Sequence, residues 1–376
     1  MYAGEAPIFR NRQLLGLIAD EPADKHFPFH LRLDLTEVCN CACSFCGWQN
    51  PDRSEQVHDE IDLNFNGKTQ ASADWVERLI SKFAEMGGKA VSFTGSGDPL
   101  VAPIIRGVLE QLNGLGIEYG ITSNFAMKLN DRTMELLAKS SWLRCSLNAG
   151  SPEVYNSTQM PREVDAEIAF ENVHNNLRRL IELRGAAPAP IVTASFVICE
   201  TNATDIWNAA RLCRDMEIDG ILFRPELKPS RTHILENVSY SDEVRDQLGK
   251  SKRDFANADF TIHSNENREI DNLVTGDSKL VCRYINHSTM VAANGDLYPC
   301  CYTHGRPEFR VGNVNEASLK ELWFSDKRIA DYSVMTVDRC PPCPYTDVNR
   351  ALEKLYAGEV GAEALQNTKG RETPFV

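Results

Sequence analysis

Residues 30 to 228 alternate apolar, β-rich runs with segments that carry apolar residues at helical spacing, and this alternation constrains the fold most. The predicted strands cover residues 30–36, 89–95, 118–124, 142–148, 191–199 and 220–227. The predicted helices cover residues 72–87, 104–116, 131–140, 167–184 and 204–217. Such alternation indicates a parallel sheet with crossover connections. A full eightfold barrel takes about 250 residues, so this length favours an α/β fold with a partial, TIM-like (β/α)6 barrel over residues 30–230.

The rest of the chain lacks this pattern. We interpret it as an N-terminal extension, a polar helical bridge, a small cysteine-rich domain and a C-terminal tail, at residues 1–29, 231–280, 281–350 and 351–376. Within the cysteine-rich domain, residues 290–301 predict a β-hairpin that turns at Asn294-Gly295. Residues 318–333 predict a helix.

Composition limits the classes of function. The formal net charge of −13 comes without a basic stripe, so we expect no nucleic-acid partner and no anionic membrane surface. No run approaches the roughly 20 apolar residues of a membrane span, and the first residues lack a secretion signal, so we expect a cytoplasmic protein. Twelve cysteines in a reducing compartment favour metal binding or catalysis over disulfides.

The first cysteine group directly follows the first predicted strand. Cys39, Cys43 and Cys46 are spaced C-x3-C-x2-C, and three thiolates on a [4Fe–4S] cluster leave one iron free for another ligand. A structural zinc site is the alternative, and zinc usually takes four closed ligands. Cys41 would then have to join, although its one-residue spacing to Cys39 and Cys43 strains chelation. A non-catalytic iron–sulfur or zinc scaffold remains a second class of function.

This triad, with aromatic Phe45 before the last cysteine and a β/α chain after it, resembles the radical S-adenosylmethionine (SAM) superfamily. The resemblance implies that SAM chelates the open iron through its amino and carboxylate groups. Reductive cleavage then gives a 5′-deoxyadenosyl radical, which abstracts hydrogen from an unreactive C–H bond. The resemblance also implies an electron donor of the flavodoxin or ferredoxin type.

Polar residues at later strand ends complete the predicted site, since ligands bind at the C-terminal ends of parallel strands. Ser96-Gly97-Asp98-Pro99 stands where the family usually has Gly-Gly-Glu-Pro, which binds the SAM amino group, and it differs at two of the four positions. Ser146 begins a Ser-Leu-Asn run similar to a ribose-facing Ser-Leu-Asp-Gly pattern. The resemblance thus implies SAM contacts at Phe45, Gly95, Ser96, Gly97, Asp98, Asn124, Ser146 and Arg224.

The second cysteine group comprises Cys282, Cys300, Cys340 and Cys343. Four thiolates in two pairs could ligate one auxiliary [4Fe–4S] cluster, although zinc ribbons use similar pairs. After such a barrel, the layout resembles SPASM domains and their shortened twitch form, most of all the twitch domain of the aminocyclitol dehydrogenase of butirosin biosynthesis. The full SPASM pattern has seven cysteines and two clusters. Its C-x5-C-x3-C portion is absent here, which implies one auxiliary cluster.

An auxiliary cluster suits oxidative chemistry, because it can accept the second electron after hydrogen abstraction. We therefore predict oxidation of a carbinol in a small polar metabolite, namely a sugar, an aminocyclitol or a nucleoside. The base would be Arg224, Glu226 or Glu200, and the sequence does not choose among them.

Two other reactions remain open. A redox-neutral epimerase would need a thiol hydrogen donor, for which Cys199 and then Cys301 are the candidates, although Cys301 also reads as a bystander or a swapped cluster ligand. A peptide-modifying SPASM enzyme is the other possibility. The short segment before the first strand argues against a separate peptide-recognition domain. Cys145 and Cys213 are expected in the core.

Overall fold

The computed structural model of the protein describes residues 11–20, 26–50, 65–226, 241–264, 280–336 and 345–366. Its strands are β1 (His30–Leu33), β2 (Ala90–Phe93), β3 (Glu118–Ser123), β4 (Trp142–Ser146), β5 (Ile191–Ile198), β6 (Gly220–Pro225), β7 (Thr261–Ser264), β8 (Ser288–Val291), β9 (Asp296–Tyr298) and β10 (Gly312–Asn313). They form one sheet in the order β10-β9-β8-β1-β2-β3-β4-β5-β6-β7. Strands β1 to β7 are parallel, and β8 joins the sheet parallel to β1. The C-terminal hairpin therefore extends the barrel sheet.

The helices cover the outer face of this sheet and continue into the C-terminal region. They are α1 (Arg12–Asp20), α2 (Ala73–Glu85), α3 (Ile105–Leu115), α4 (Asp131–Leu137), α5 (Pro152–Thr158), α6 (Ala166–Arg184), α7 (Ile206–Asp215), α8 (Asp242–Phe255), α9 (Leu319–Trp323), α10 (Asp326–Ser333), α11 (Thr346–Tyr356) and α12 (Ala362–Leu365). Local sequence sets several of their ends. Asn130 and Ser151 accept N-cap hydrogen bonds at α4 and α5, and Gly116 ends α3 in the left-handed conformation.

Side chains alternate between two faces of each strand, and this alternation determines which residues reach the site. In β4, Leu143 and Cys145 are fully buried in the main core, whereas Arg144 and Ser146 point to the opposite face. We call this opposite face the inner face of the barrel. Cys213 on α7 also lies in the main core, as predicted together with Cys145. None of the helices in the described part of the chain combines the length and the apolar content that a membrane span needs.

The predicted α/β fold is confirmed, and the six predicted barrel strands all form. The predicted hairpin also forms, and Gly295 takes a φ of 88° at its turn between β8 and β9. The predicted bridge at 231–280 differs, because it contains a strand as well as a helix: β7 follows α8 and pairs with the edge of β6. The helix predicted at 318–333 is two helices, because Ser325 caps a new one by accepting a hydrogen bond from the backbone N–H of Arg328.

The two ends of the chain do not stand apart as an extension and a tail. Leu14, Leu15 and Ile18 of α1 are buried in a second apolar cluster with Leu352 and Leu355 of α11. Cys282 and Cys300 belong to the same cluster. Residues assigned from sequence to the N-terminal extension and the C-terminal tail thus form part of the core beneath the cysteine-rich domain.

Candidate active site

One cavity opens at the C-terminal ends of the barrel strands. Cys39, Cys43 and Cys46 lie on its wall. The predicted SAM contacts that line the same cavity are Phe45, Gly95, Ser96, Gly97, Asp98, Asn124, Ser146 and Arg224. The fold therefore gathers residues from the cysteine loop and from the ends of β2, β3, β4 and β6 into one site.

The thiols of the cysteine loop are weak acids in this environment. Burial, then the charges of Asp98 and Cys41, raise the pKa of Cys39 well above its usual value. Burial and the neighbouring cysteines raise the pKa of Cys43 in the same way. Thiolate ligands are stabilised by the positive charge of bound metal, so this cluster of half-buried thiols is suited to a metal centre.

Within the described residues, no three His, Cys, Asp or Glu side chains converge closely enough to hold one metal ion. Cys41 also borders the cavity, but it is only 1% exposed and forms a β-bridge with Pro161.

The glycine turn after β2 packs directly on the chain that leads into the cysteine loop. A Cβ atom at Gly97 would lie 2.3 Å from the Thr36 carbonyl oxygen and 2.4 Å from that of Val38. Beside it, the backbone N–H and the hydroxyl of Ser96 donate hydrogen bonds of 2.9 and 2.7 Å to Asp34. Burial raises the pKa of Asp34 to about 7, although the hydrogen bonds from Ser96 oppose this shift.

The Asp98 carboxylate links the ends of two strands through hydrogen bonds. Its carboxylate accepts hydrogen bonds from the Ser123 hydroxyl at 2.9 Å and from the backbone N–H groups of Leu100 at 2.9 Å and Asn124 at 2.6 Å. The side chain is 5% exposed, and burial raises its pKa. The structure thus shows Asp98 joining the ends of β2 and β3, and its pairing with an ammonium group stays a prediction.

Two cysteine sulfurs receive hydrogen bonds from neighbouring amides. The side chain of Asn124 donates to the Cys39 sulfur at 3.7 Å, and the backbone N–H of Gln49 donates to that of Cys46 at 3.3 Å. The Gln49 side chain also donates to the carbonyl oxygens of Glu37 and Ser96, so it ties the cysteine loop to the glycine turn. Hydrogen bonds to sulfur are one determinant of the potential of an iron–sulfur cluster.

Sequence reasoning missed several residues that line the cavity, among them Gln49, Gln159 and Ser195. The side-chain oxygen of Gln159 accepts a hydrogen bond of 2.6 Å from the Asn148 side chain, and its nitrogen donates one of 2.8 Å to the Ser146 carbonyl oxygen. Asn148 ends the Ser-Leu-Asn run to which the sequence already points. Gln159 follows a helix, and no local sequence signal points to it.

The predicted catalytic residues occupy different environments. Arg224 lines the cavity, whereas Glu200 is exposed. Glu226 is 4% exposed and continues β6 beyond Arg224. Cys199 is buried with its sulfur 3.2 Å from the Thr201 hydroxyl, and it is not among the residues that line the cavity.

Arg32 joins the barrel to the cysteine-rich domain. From the inner face of β1, its guanidinium donates hydrogen bonds of 3.0 Å to the Cys301 sulfur, 2.6 Å to the Tyr284 hydroxyl and 2.9 Å to the Tyr345 hydroxyl. The two tyrosine rings stack with their centroids 4.2 Å apart. The hydrogen bond with Cys300 and the charge of Arg32 lower the pKa of Cys301 to about 6, against the effect of burial.

Two of the four predicted auxiliary ligands, Cys282 and Cys300, lie in the described residues. Cys282 and Cys300 are 7% and 8% exposed and belong to one apolar cluster. Cys340 and Cys343 lie outside the described residues. A further residue of the domain, His304, brings its ring nitrogen to 3.8 Å from Asp34, next to the glycine turn.

Comparisons with known proteins agree with this geometry. Residues 282–344 match the SPASM family of iron–sulfur cluster-binding domains. The PqqA peptide cyclase of Xanthomonas oryzae pv. oryzae is 22% identical over 86% of this chain and 82% of its own. The GTP 3′,8-cyclase of Aquifex aeolicus is 23% identical over 78% of this chain and 88% of its own.

Solved structures share the fold. Streptococcus suis SuiB bound to SAM superposes with a TM-score of 0.57 at 18% identity, over 80% of this chain and 66% of the SuiB chain. The protein anSMEcpe with bound SAM has a TM-score of 0.57 at 15% identity, over 90% of this chain and 100% of that chain. With the cysteine triad, the partial barrel and the matched domain at 282–344, the chain carries a SPASM domain and is similar in fold to SAM-binding proteins of known structure.

Proposed function

We propose that the protein is a radical SAM oxidoreductase that removes two hydrogens from a carbinol carbon of a small polar substrate, such as a sugar, an aminocyclitol or a nucleoside. The observation that carries the proposal is the single cavity in which the cysteine triad meets the polar strand ends, with the SPASM domain joined to the same barrel through Arg32. When bound, the triad's [4Fe–4S] cluster and SAM supply a 5′-deoxyadenosyl radical, and an auxiliary [4Fe–4S] cluster supplies an electron acceptor.

The residues of the chain hold these groups in place. Cys39, Cys43 and Cys46 would bind three irons, and the amides of Gln49 and Asn124 orient two of the sulfurs. Cys282, Cys300, Cys340 and Cys343 would hold the auxiliary cluster. Ser96, Ser146 and Asn148 offer hydrogen-bonding groups to SAM along the cavity wall, together with the backbone of the glycine turn.

Among the candidate bases, Glu226 fits the role best. Arginine stays protonated at any physiological pH, so Arg224 is suited to binding an anion rather than to accepting a proton. Glu200 is exposed, whereas Glu226 is buried just outside the cavity lining and stands two positions beyond Arg224, on the same side of the extended chain. Its carboxylate would take the proton of the substrate hydroxyl.

Peptide modification is the second candidate function. It is favoured by the relatives, because the PqqA cyclase is named for a peptide and SuiB has been solved with its precursor peptide SuiA. Redox-neutral epimerisation has less support, since Cys199 does not line the cavity, although its sulfur lies 3.8 Å from the Ser44 hydroxyl of the cysteine loop. If the reaction is an epimerisation, Cys301 beside Arg32 is the better hydrogen donor.

The test is an assay of the anaerobically reconstituted protein with SAM and dithionite. We expect formation of 5′-deoxyadenosine and about eight irons per chain, falling to about four in Cys340→Ala. A protein that never yields 5′-deoxyadenosine would overturn the enzyme assignment. An iron content near four that Cys340→Ala leaves unchanged would contradict the auxiliary cluster.

The reaction type is read from products formed in deuterated water from candidate sugars, aminocyclitols and nucleosides. A mass loss of two supports dehydrogenation. Deuterium from solvent on carbon would instead indicate epimerisation, and modification of a peptide with no change in the small molecules would indicate the second candidate function.

A further inference from the structure

Helix α10 buries two polar side chains against the chain that follows Cys282. Arg328 and Tyr332 stand one turn apart and are 4% and 7% exposed, whereas the other polar residues of this helix are exposed. The Arg328 guanidinium donates hydrogen bonds of 3.0 Å to the Trp323 carbonyl oxygen and 3.2 Å to that of Ile285. Its carbon atom lies 3.4 Å from the centre of the Trp323 ring and 4.7 Å from that of Tyr332. Arg328 thus fixes α10 against the segment that begins at Cys282.

Both side chains keep a buried polar group that finds no hydrogen-bond partner among the residues that the structure describes. These groups are the Nε atom of Arg328 and the hydroxyl of Tyr332. The ion pair of the same helix joins Lys327 to Asp331 and does not involve Arg328. Burial lowers the pKa of Arg328 to about 10, so the side chain is still a cation at neutral pH. A buried cation and a buried hydroxyl are costly unless another group satisfies them.

The two described auxiliary ligands belong to the same packed region. The backbone N–H of Cys282 donates a hydrogen bond of 2.8 Å to the Met335 carbonyl oxygen, and the Met335 N–H donates one of 3.3 Å to that of Tyr332. Cys282, Cys300 and Tyr332 are members of one buried cluster. Burial raises the pKa of Tyr332, the charge of Arg328 lowers it, and the charges of Cys300 and Cys282 raise it. The phenol therefore stands between the cation and the thiols.

These surroundings fit a cluster that is held by four thiolates. Such a cluster carries a net negative charge, and an added electron makes it more negative. An apolar pocket alone would oppose that step, because burial disfavours charge. A nearby cation and a hydrogen bond to sulfur favour it, and net charge and hydrogen bonds to the sulfurs set the reduction potential of an iron–sulfur cluster. The unsatisfied groups of Arg328 and Tyr332 are of these two kinds.

We propose that Tyr332 and Arg328 raise the reduction potential of the auxiliary cluster, Tyr332 by donating a hydrogen bond to one of its sulfurs and Arg328 by its buried positive charge. Neither residue ligates iron, so both act through the cluster. The inference rests on the proposed function. In that reaction the carbinol hydrogen goes to the 5′-deoxyadenosyl radical, the hydroxyl proton to a base and the second electron to the auxiliary cluster. A higher potential makes the transfer of this electron more favourable.

The test is a redox titration of the anaerobic holoenzyme, followed by the electron paramagnetic resonance signals of its reduced clusters. A full-length variant with Cys39→Ala, Cys43→Ala and Cys46→Ala identifies the signal of the auxiliary cluster. Tyr332→Phe should lower the equilibrium constant for reduction of this cluster by about tenfold, which corresponds to about 59 mV for one electron. Arg328→Gln should lower it at least as much, and Arg328→Lys, which keeps the charge, should lower it less.

Electron–nuclear double resonance of the reduced auxiliary cluster tests the hydrogen bond directly. The wild type should show a proton coupling that disappears in deuterated water and is absent from Tyr332→Phe. A change in packing alone would not remove an exchangeable proton. An identical set of exchangeable couplings in the wild type and Tyr332→Phe would overturn the hydrogen bond.

Two matched variants control for general effects. Tyr356→Phe removes a phenol that packs against the same buried cluster but already bonds His287 at 2.8 Å. Arg350→Gln removes an exposed cation of α11. Both should keep the wild-type potential. Iron content near that of the wild type shows that a variant is folded, and if Arg328→Gln loses iron, Tyr332→Phe alone decides.

Failure of this inference is distinct from failure of the proposed function. An auxiliary cluster with the same potential in the wild type, Tyr332→Phe and Arg328→Gln would overturn the inference alone, and so would a potential that rises in these variants. Lowered potentials in a protein that oxidises no small polar substrate would uphold the inference and reject the proposed function. An iron content near four that Cys340→Ala leaves unchanged would reject both.

Discussion

Two glycines of this chain have opposite steric surroundings. Gly97 faces the carbonyl oxygens of Thr36 and Val38 at 2.3 and 2.4 Å from where its Cβ would lie, whereas nothing lies within 4 Å of a Cβ at Gly107 in α3. A methyl group at Gly97 must displace backbone, and that backbone leads into the cysteine triad. The tolerance of each glycine is therefore set by what it packs against.

We predict that Gly97→Ala reduces both the iron content and the formation of 5′-deoxyadenosine, because the glycine turn can no longer approach the cysteine loop. Gly107→Ala should leave both unchanged and stabilise the protein by about 0.5–1 kcal/mol, since alanine is the better helix former. Iron analysis and thermal unfolding measure the two effects. Equal behaviour of the two variants would contradict the steric argument.

Asp34 gives a pH-dependent prediction. Its pKa is raised from 3.8 to about 7 in the folded protein, so the folded state holds a proton that the unfolded state releases. The stabilisation is complete below the ordinary pKa and is lost as the pH rises through the folded pKa. The release of this proton by Asp34 on unfolding should therefore lower the free energy of unfolding as the pH rises from about 4 to about 7. The decrease is at most about 1.4 kcal/mol per pH unit.

The measurement is the pH dependence of unfolding for the wild type and Asp34→Asn, compared by slope rather than by absolute value. The slope in this window should become less negative in the variant. Asp74→Asn, at an exposed position on α2, is the control and should keep the wild-type slope. If Asp34→Asn keeps it too, Asp34 does not hold the proton.

At the scale of elements, α1 shows how distant segments complete one core. Leu14 is fully buried against the C-terminal cluster, although more than 330 residues separate it from α11. We predict that Leu14→Ala lowers the free energy of unfolding by about 2–5 kcal/mol, through lost burial and the cavity left behind. Leu115→Ala, at a side chain that is 46% exposed, should change it by about 0.5 kcal/mol or less. Thermal unfolding measures both variants. Equal decreases in the free energy of unfolding for Leu14→Ala and Leu115→Ala would argue against the packing of α1.

Elements with strong local patterns were predictable from sequence, and elements defined by distant partners were not. The strands β1 to β6 and the hairpin at Gly295 follow from periodicity and turn chemistry. Strand β7 has only the short run Thr261–Ser264, and it exists because the edge of β6 is there to pair with. The same distinction holds in the site: the cysteines and Gly97 carry motif signals, whereas Gln159 is brought to the cavity by tertiary structure.

At the scale of the whole molecule, the barrel and the SPASM domain form a continuous unit. Strand β8 pairs with β1, so the two parts share one sheet. Arg32 then crosses from β1 to Tyr284, Tyr345 and Cys301 through three hydrogen bonds. A substrate on the inner face would therefore contact both parts, and the geometry of one would depend on the other.

A double-mutant cycle measures this dependence. Arg32→Lys cannot keep the planar set of hydrogen bonds to two phenols and a sulfur, so we expect a loss of about 1–3 kcal/mol in unfolding free energy. Tyr345→Phe should cost less in the Arg32→Lys background than in the wild type, with a coupling of about 1 kcal/mol, because the two variants remove the same hydrogen bond. Tyr119→Phe, whose hydroxyl bonds Leu136 and Asn113 within the barrel, should be additive with Arg32→Lys. Additivity of Tyr345→Phe as well would mean that Arg32 does not hold the SPASM domain to the barrel.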